Sequence, residues 1–218
     1  MYRSVLPAPA LYTLMALAGL VALPELLLIL ADHGLIGSTR WRVLAYQYGG
    51  FWAGLLHGWR PNFDSQPMTM FLSYSLLHAG LGHMLGNLAS LLAIGPTVQA
   101  RFGARGLLTI WGVSALGGGA AFGLMSTSPA PMVGASGAIF GLVGAWTWMQ
   151  GADRAGAGPL AVLARVLGIM AGLVLLNLVM WLLAGGVLAW ETHLGGYLAG
   201  LAMAALIAPA ARPLPGSA

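Results

Sequence analysis

The stretch STSPAPMVGASGAIFGLVGAWTWMQ, residues 126–150, decides how this chain is read. Pro129 and Pro131 bar a regular helix between Ser126 and Ala135. From Ser136 to Gln150 the residues are small or apolar and predict a helix. Fifteen residues make a helix of only about 22 Å, shorter than the roughly 30 Å of a bilayer core. In a membrane, non-helical backbone is tolerated at depth only where it is buried in protein or lines a wet cavity. Ser136 is therefore expected to head a short helix at the floor of a water-filled pocket. Serine is also a good N-cap, and that role alone would account for it. The motif Gly134-Ala135-Ser136-Gly137 is not a Gly-x-Ser-x-Gly elbow, because position 138 is Ala.

The surrounding composition places this stretch in a membrane. The chain has 218 residues, of which 59% are hydrophobic and only 6% charged, where a soluble domain carries about 25%. Mean hydropathy is +0.84. A surface so poor in charge excludes a soluble globular monomer and indicates a polytopic membrane protein. With no cysteine, disulfides, thiol nucleophiles and thiolate metal sites are excluded. The basic residues are nine arginines, too dispersed to read as a nucleic-acid surface. No cleavable signal peptide is evident, since the first apolar stretch is too long and Pro24-Glu25 interrupts it.

Six apolar runs are predicted to cross the membrane: Leu11 to Ala31, Leu81 to Ala100, Gly106 to Met125, Ser136 to Gln150, Leu160 to Leu183 and Leu188 to Ala208. One all-α domain over residues 1–208 is expected, with a short tail at 209–218. Arg3, Arg101, Arg105, Arg154, Arg165 and Arg212 would share one side, and Arg40, Arg42 and Arg60 the other. Positive-inside bias then puts both termini in the cytoplasm. The long first loop, Asp32 to Gly80, is rich in aromatics and is expected to lie, partly helical, in the outer leaflet. Gly137 with Gly141, Gly196 with Gly200, and the run Gly117 to Gly119 have the spacing that lets helix backbones approach closely.

Polar side chains are costly in this setting, so each is a candidate for function. His193 lies near the outer end of the sixth run, beside Gly195 and Gly196. A base there, with backbones nearly touching, suits a hydrogen bond to a serine on a neighbouring helix. It could equally be a packing histidine. His83 and Asn87 are four apart and share one helical face. Two donors aimed at one point suit an oxyanion, or they glue neighbouring helices. His78 falls off that face. A three-histidine metal site from His78, His83 and His193 has no His-Glu-x-x-His and no nearby carboxylate at its first two members, so no metal is expected. Glu25 and Asn177 are expected to make structural hydrogen bonds.

Together these motifs resemble the rhomboid family of intramembrane serine proteases, in order and spacing, over roughly residues 70–201. His83-Met84-Leu85-Gly86-Asn87 is similar to the family's His-x-x-x-Asn on the second helix, with His78 as the further histidine that often precedes it. Gly134-Ala135-Ser136-Gly137 is similar to Gly-x-Ser-Gly at the start of the fourth helix, and His193-Leu194-Gly195-Gly196 to the histidine motif of the sixth. The resemblance implies a six-helix bundle with a long first loop and a Ser136–His193 dyad without a third acid. It implies an oxyanion site from the Ser136 N–H, His83 and Asn87. Gly134 would free the backbone beside the substrate, and Gly137 completes the motif. It implies no cofactor and no nucleic acid, and transmembrane proteins in the lipid bilayer as substrates. Two departures stand out. Phe140 occupies a position where the family commonly has Tyr stacked on the histidine. The family's Trp-Arg pair of the first loop has two candidates, Trp41-Arg42 and Trp59-Arg60. A minimal bacterial inner-membrane enzyme is the expectation. A catalytically inactive client-binding relative, a small transporter and a specialised processing branch are the alternatives.

Overall fold

The computed structural model describes residues 8–152, 159–183 and 188–208. Seven helices carry the described chain: α1 (Ala8–Asp32), α2 (Trp41–Gly49), α3 (Gln66–Ser73), α4 (Leu81–Met125), α5 (Ser136–Ala152), α6 (Pro159–Leu183) and α7 (Trp190–Ile207). Among the described residues two helices are long and apolar enough to cross a membrane, Leu11–Asp32 and Leu81–Met125. Helices α5 and α7, at 17 and 18 residues, are shorter. The expected tail at 209–218, and Arg3, Arg154 and Arg212, lie outside the described residues.

The second and third apolar runs differ from expectation. The second run was expected to end at Ala100 and the third to begin at Gly106, but helix continues to both sides of Gly103, which alone leaves helical geometry at φ 72°, ψ 178°. That left-handed φ is open to glycine at little cost. A straight helix of 45 residues would extend about 68 Å. Yet a side chain on Gly134, next to the first loop's Tyr74, would touch His83 near the start of α4. Gly119 and Gly123, near the end of α4, pack against Phe51 of the same loop. The chain therefore doubles back at a single residue, and α4 is a hairpin of two helical arms.

The core is built where these arms meet α1, α5 and α7. Val21 of α1, Leu91, Val98, Leu107 and Ile110 of α4, and Leu142 of α5 are almost completely buried together. The closest approach is between α5 and α7. A Cβ on Gly196 would collide with the Gly137 carbonyl, and one on Gly200 with the backbone of Gly141. Glycine pairs face each other across this interface, so nothing but backbone separates the two helices.

The first loop is a structured cap with helical segments α2 and α3. Phe51 is fully buried and meets Phe71, Tyr74 and Phe122 edge-on, with centroids 4.9, 5.9 and 5.8 Å apart. Arg42 ties the loop down. Its Nη1 and Nη2 reach the two oxygens of Glu25 at 3.0 and 2.9 Å, and its Nε donates to Asp32 Oδ2 at 2.7 Å. This pairing, led by the hydrogen bond to Glu25, holds the Arg42 guanidinium pKa above its ordinary value, so the group stays cationic. Of the two Trp-Arg pairs, Trp41-Arg42 is thus the one that docks, and Glu25 binds the loop as a structural carboxylate. Glu25 has no exposure to solvent, so removing its partner would leave an uncompensated buried charge.

Candidate active site

The cap positions the segment that enters α5. Phe51 and Met132 exchange two backbone hydrogen bonds of 2.9 Å, and the Gly134 N–H donates to the Tyr74 carbonyl at 3.0 Å. The stretch from Met132 to Gly134, which follows Pro129 and Pro131, is thereby pinned to the cap outside any helix. Gly134 adopts φ +134°, which disfavours any other residue. A Cβ there would also fall 2.7 Å from His83 Cε1. Helix α5 begins at Ser136 itself, and the Ile139 N–H donates to the Ala135 carbonyl. Ser136 is the first helical residue and not the cap. Its N–H has no carbonyl a turn earlier within the helix.

The Ser136 hydroxyl meets His193. Oγ lies 2.9 Å from His193 Nε2, a bond that joins α5 to α7. The facing glycines explain the distance: with Gly137 and Gly196 in backbone contact, the residues beside them are within side-chain reach. The His193 ring is 3% exposed and stacks on Phe140, with centroids 4.2 Å apart and planes 3° from parallel. The stack expected of this position persists without a hydroxyl.

His83 and Asn87 approach from the first arm of α4. The Ala79 N–H donates to His83 Nδ1 at 3.3 Å. In the neutral ring this leaves the proton on Nε2, the atom nearer Gly134. Asn87 is buried, and its Nδ2 makes no hydrogen bond among the described residues. Both groups are donors with capacity to spare. His78, expected off this face, reaches the same place by another route. It sits in the segment before α4, fully buried, with its ring edge-on to His83 at 5.3 Å. Its Nε2 accepts the Ala135 N–H at 3.4 Å, while its carbonyl takes the Tyr46 hydroxyl at 2.6 Å and Arg42 Nη1 at 3.2 Å. His78 thus links the cap to the residue before Ser136.

One participant differs from the expected role. Asn177 of α6 places Oδ1 2.6 Å from His193 Nδ1. The signal was present in the sequence, as an amide in an otherwise apolar run, but nothing nearby indicated its partner.

Polar side chains converging within apolar helices mark a membrane-embedded helical protein with a hydrophilic centre. The Rhomboid domain family model matches residues 65–210, well over half of the chain. The chain belongs to the rhomboid family, which is embedded in the bilayer. RHOMBOID-like protein 2 of Arabidopsis thaliana is 34% identical over 107 residues, covering 49% of this chain and 28% of that protein. RHOMBOID-like protein 5 of the same plant is 40% identical over 70 residues, covering 32% and 23%. RHOMBOID-like protein 1 is 41% identical over 69 residues, covering 32% and 18%. The matched stretches thus span little more than a quarter of these relatives at most. All three are plant proteins and lend no support to a bacterial membrane.

Proposed function

We propose that this chain is an intramembrane serine endopeptidase acting on single-pass transmembrane proteins. The observation that carries the proposal is the 2.9 Å bond between Ser136 Oγ and His193 Nε2, set where three further groups offer hydrogen bonds. Ser136 Oγ attacks the scissile carbonyl carbon and its proton passes to His193 Nε2. The oxyanion is held by the Ser136 N–H, His83 Nε2–H and Asn87 Nδ2–H. Collapse breaks the C–N bond, and His193 returns the proton to the leaving amine. A water deprotonated by His193 then releases the acyl group from Ser136. The substrate backbone must be extended to reach Ser136, which favours small or helix-breaking residues at the scissile bond.

The topology belongs to the same proposal: six spans with both termini in the cytoplasm and the capped loop opposite. The test is labelling of the detergent-purified protein with a fluorophosphonate. Wild type labels, while Ser136→Ala and His193→Ala do not. A folded wild type that fails to label, or equal labelling of all three proteins, overturns the proposal in favour of an inactive client-binding rhomboid.

A further inference from the structure

Asn177 stands on α6, away from both the serine helix and the histidine helix, yet its Oδ1 is 2.6 Å from His193 Nδ1. The other ring nitrogen is 2.9 Å from Ser136 Oγ. A neutral imidazole has one donor and one acceptor nitrogen, and the partner of each decides which is which. An amide oxygen can only accept. It therefore fixes the proton on Nδ1 and leaves the Nε2 lone pair facing the serine hydroxyl. The opposite tautomer would point Nε2–H at Ser136 and could not take its proton. The Phe140 stack fixes the plane of the ring, but stacking does not distinguish the two nitrogens.

We infer that Asn177 is a positioning residue, completing a Ser136–His193–Asn177 relay in which the amide sets the tautomer and orientation of the base. The inference rests on the protease reading above. It replaces the expected two-residue arrangement with three residues drawn from three helices. The oxygen also remains in contact when His193 becomes cationic, so the bond strengthens as the proton arrives. Hydrogen bonds to charged groups contribute enough that losing this one should slow the serine's reaction about ten- to a hundredfold.

The experiment uses the full chain in detergent with a fluorophosphonate probe, in which Ser136 Oγ forms the bond to phosphorus, fluoride leaves and the proton goes to His193. The maximal labelling rate and the probe's half-saturating concentration are measured separately for wild type, Asn177→Leu and Asn177→Asp. In parallel, ring-nitrogen spectra of histidine-labelled protein are recorded, with His193→Gln identifying the His193 signals. Wild type should show His193 protonated at Nδ1. Asn177→Leu should lose that preference and its maximal rate should fall at least tenfold, with half-saturation unchanged. Asn177→Asp keeps an oxygen at the same reach and should recover most of the rate. A labelling wild type with an indifferent Asn177→Leu overturns the inference alone, as does an Asn177→Leu that labels slowly while its His193 tautomer is unchanged. A wild type that does not label overturns the protease reading itself.

Discussion

The serine hydroxyl has an ordinary reactivity until something removes its proton and something else receives the charge that develops on the substrate. His193 lies where it can do the first. The proposed mechanism gives His83 and Asn87 the second task, since one has its Nδ1 occupied by Ala79 and the other carries a buried amide with an unused donor. Leaving a buried donor unpaired costs free energy in the resting protein, and under the proposed mechanism that cost would be recovered when an oxyanion occupies the site. His83→Ala and Asn87→Ala should each slow fluorophosphonate labelling about a hundred- to a thousandfold without abolishing it. A change of less than about threefold in both, with the fold intact, would remove them from the oxyanion role. These residues were legible because a polar side chain in an apolar run stands out on chemistry alone. Asn177 stood out equally, but its partner did not, since sixteen residues of chain and a change of helix separate it from His193. The contacts of His78 were hidden for a related reason: helical spacing governs only residues inside the helix, and His78 precedes α4.

At the level of elements, the decisive contact is the glycine face shared by α5 and α7. The spacing of Gly137, Gly141, Gly196 and Gly200 announced close approach, and the structure pairs them across one interface. Gly200→Val should force the helices apart, since its Cβ would run into the Gly141 backbone. Overpacking of this kind costs about 1–3 kcal/mol. The unfolding midpoint should fall and labelling should fall with it, because the Ser136–His193 distance depends on the same contact. Gly112→Ala is the control. A Cβ at Gly112 meets nothing within 4 Å, and alanine is favoured over glycine inside a helix by about 1 kcal/mol. That variant should label normally and melt no lower than wild type. What the sequence did not disclose was Gly103. Turn-rich loops usually connect antiparallel helices, and a reversal by one residue leaves no compositional trace beyond a single glycine among thirty-three.

For the whole molecule, the chain's lack of cysteine makes its topology directly measurable. Single cysteines at Ser4, Ser38 and Ser217 can be probed with a membrane-impermeant maleimide in sealed vesicles. Ser4→Cys and Ser217→Cys should react from the same face, and Ser38→Cys from the other, if the chain crosses six times. Reaction of Ser4→Cys and Ser217→Cys from opposite faces would require an odd number of crossings. The apolar composition made the membrane class plain. It could not show that the first loop docks through one arginine, because Arg42 and Arg60 each follow a tryptophan and only three-dimensional proximity to Glu25 and Asp32 separates them.

The reversal at Gly103 also bears on how such a chain enters lipid during synthesis. Two arms joined without a linker are tethered at close range by the chain itself, so little chain entropy is lost when they meet. In the folded chain Leu107 and Ile110 on the second arm share one buried cluster with Leu91 and Val98 on the first. His83 and Asn87, which would be costly on an isolated helix in hydrocarbon, thus have the second arm tethered beside them. A spacer of flexible residues inserted after Gly103 would loosen that tether, and its expected result is a lower level of folded protein recovered from the membrane.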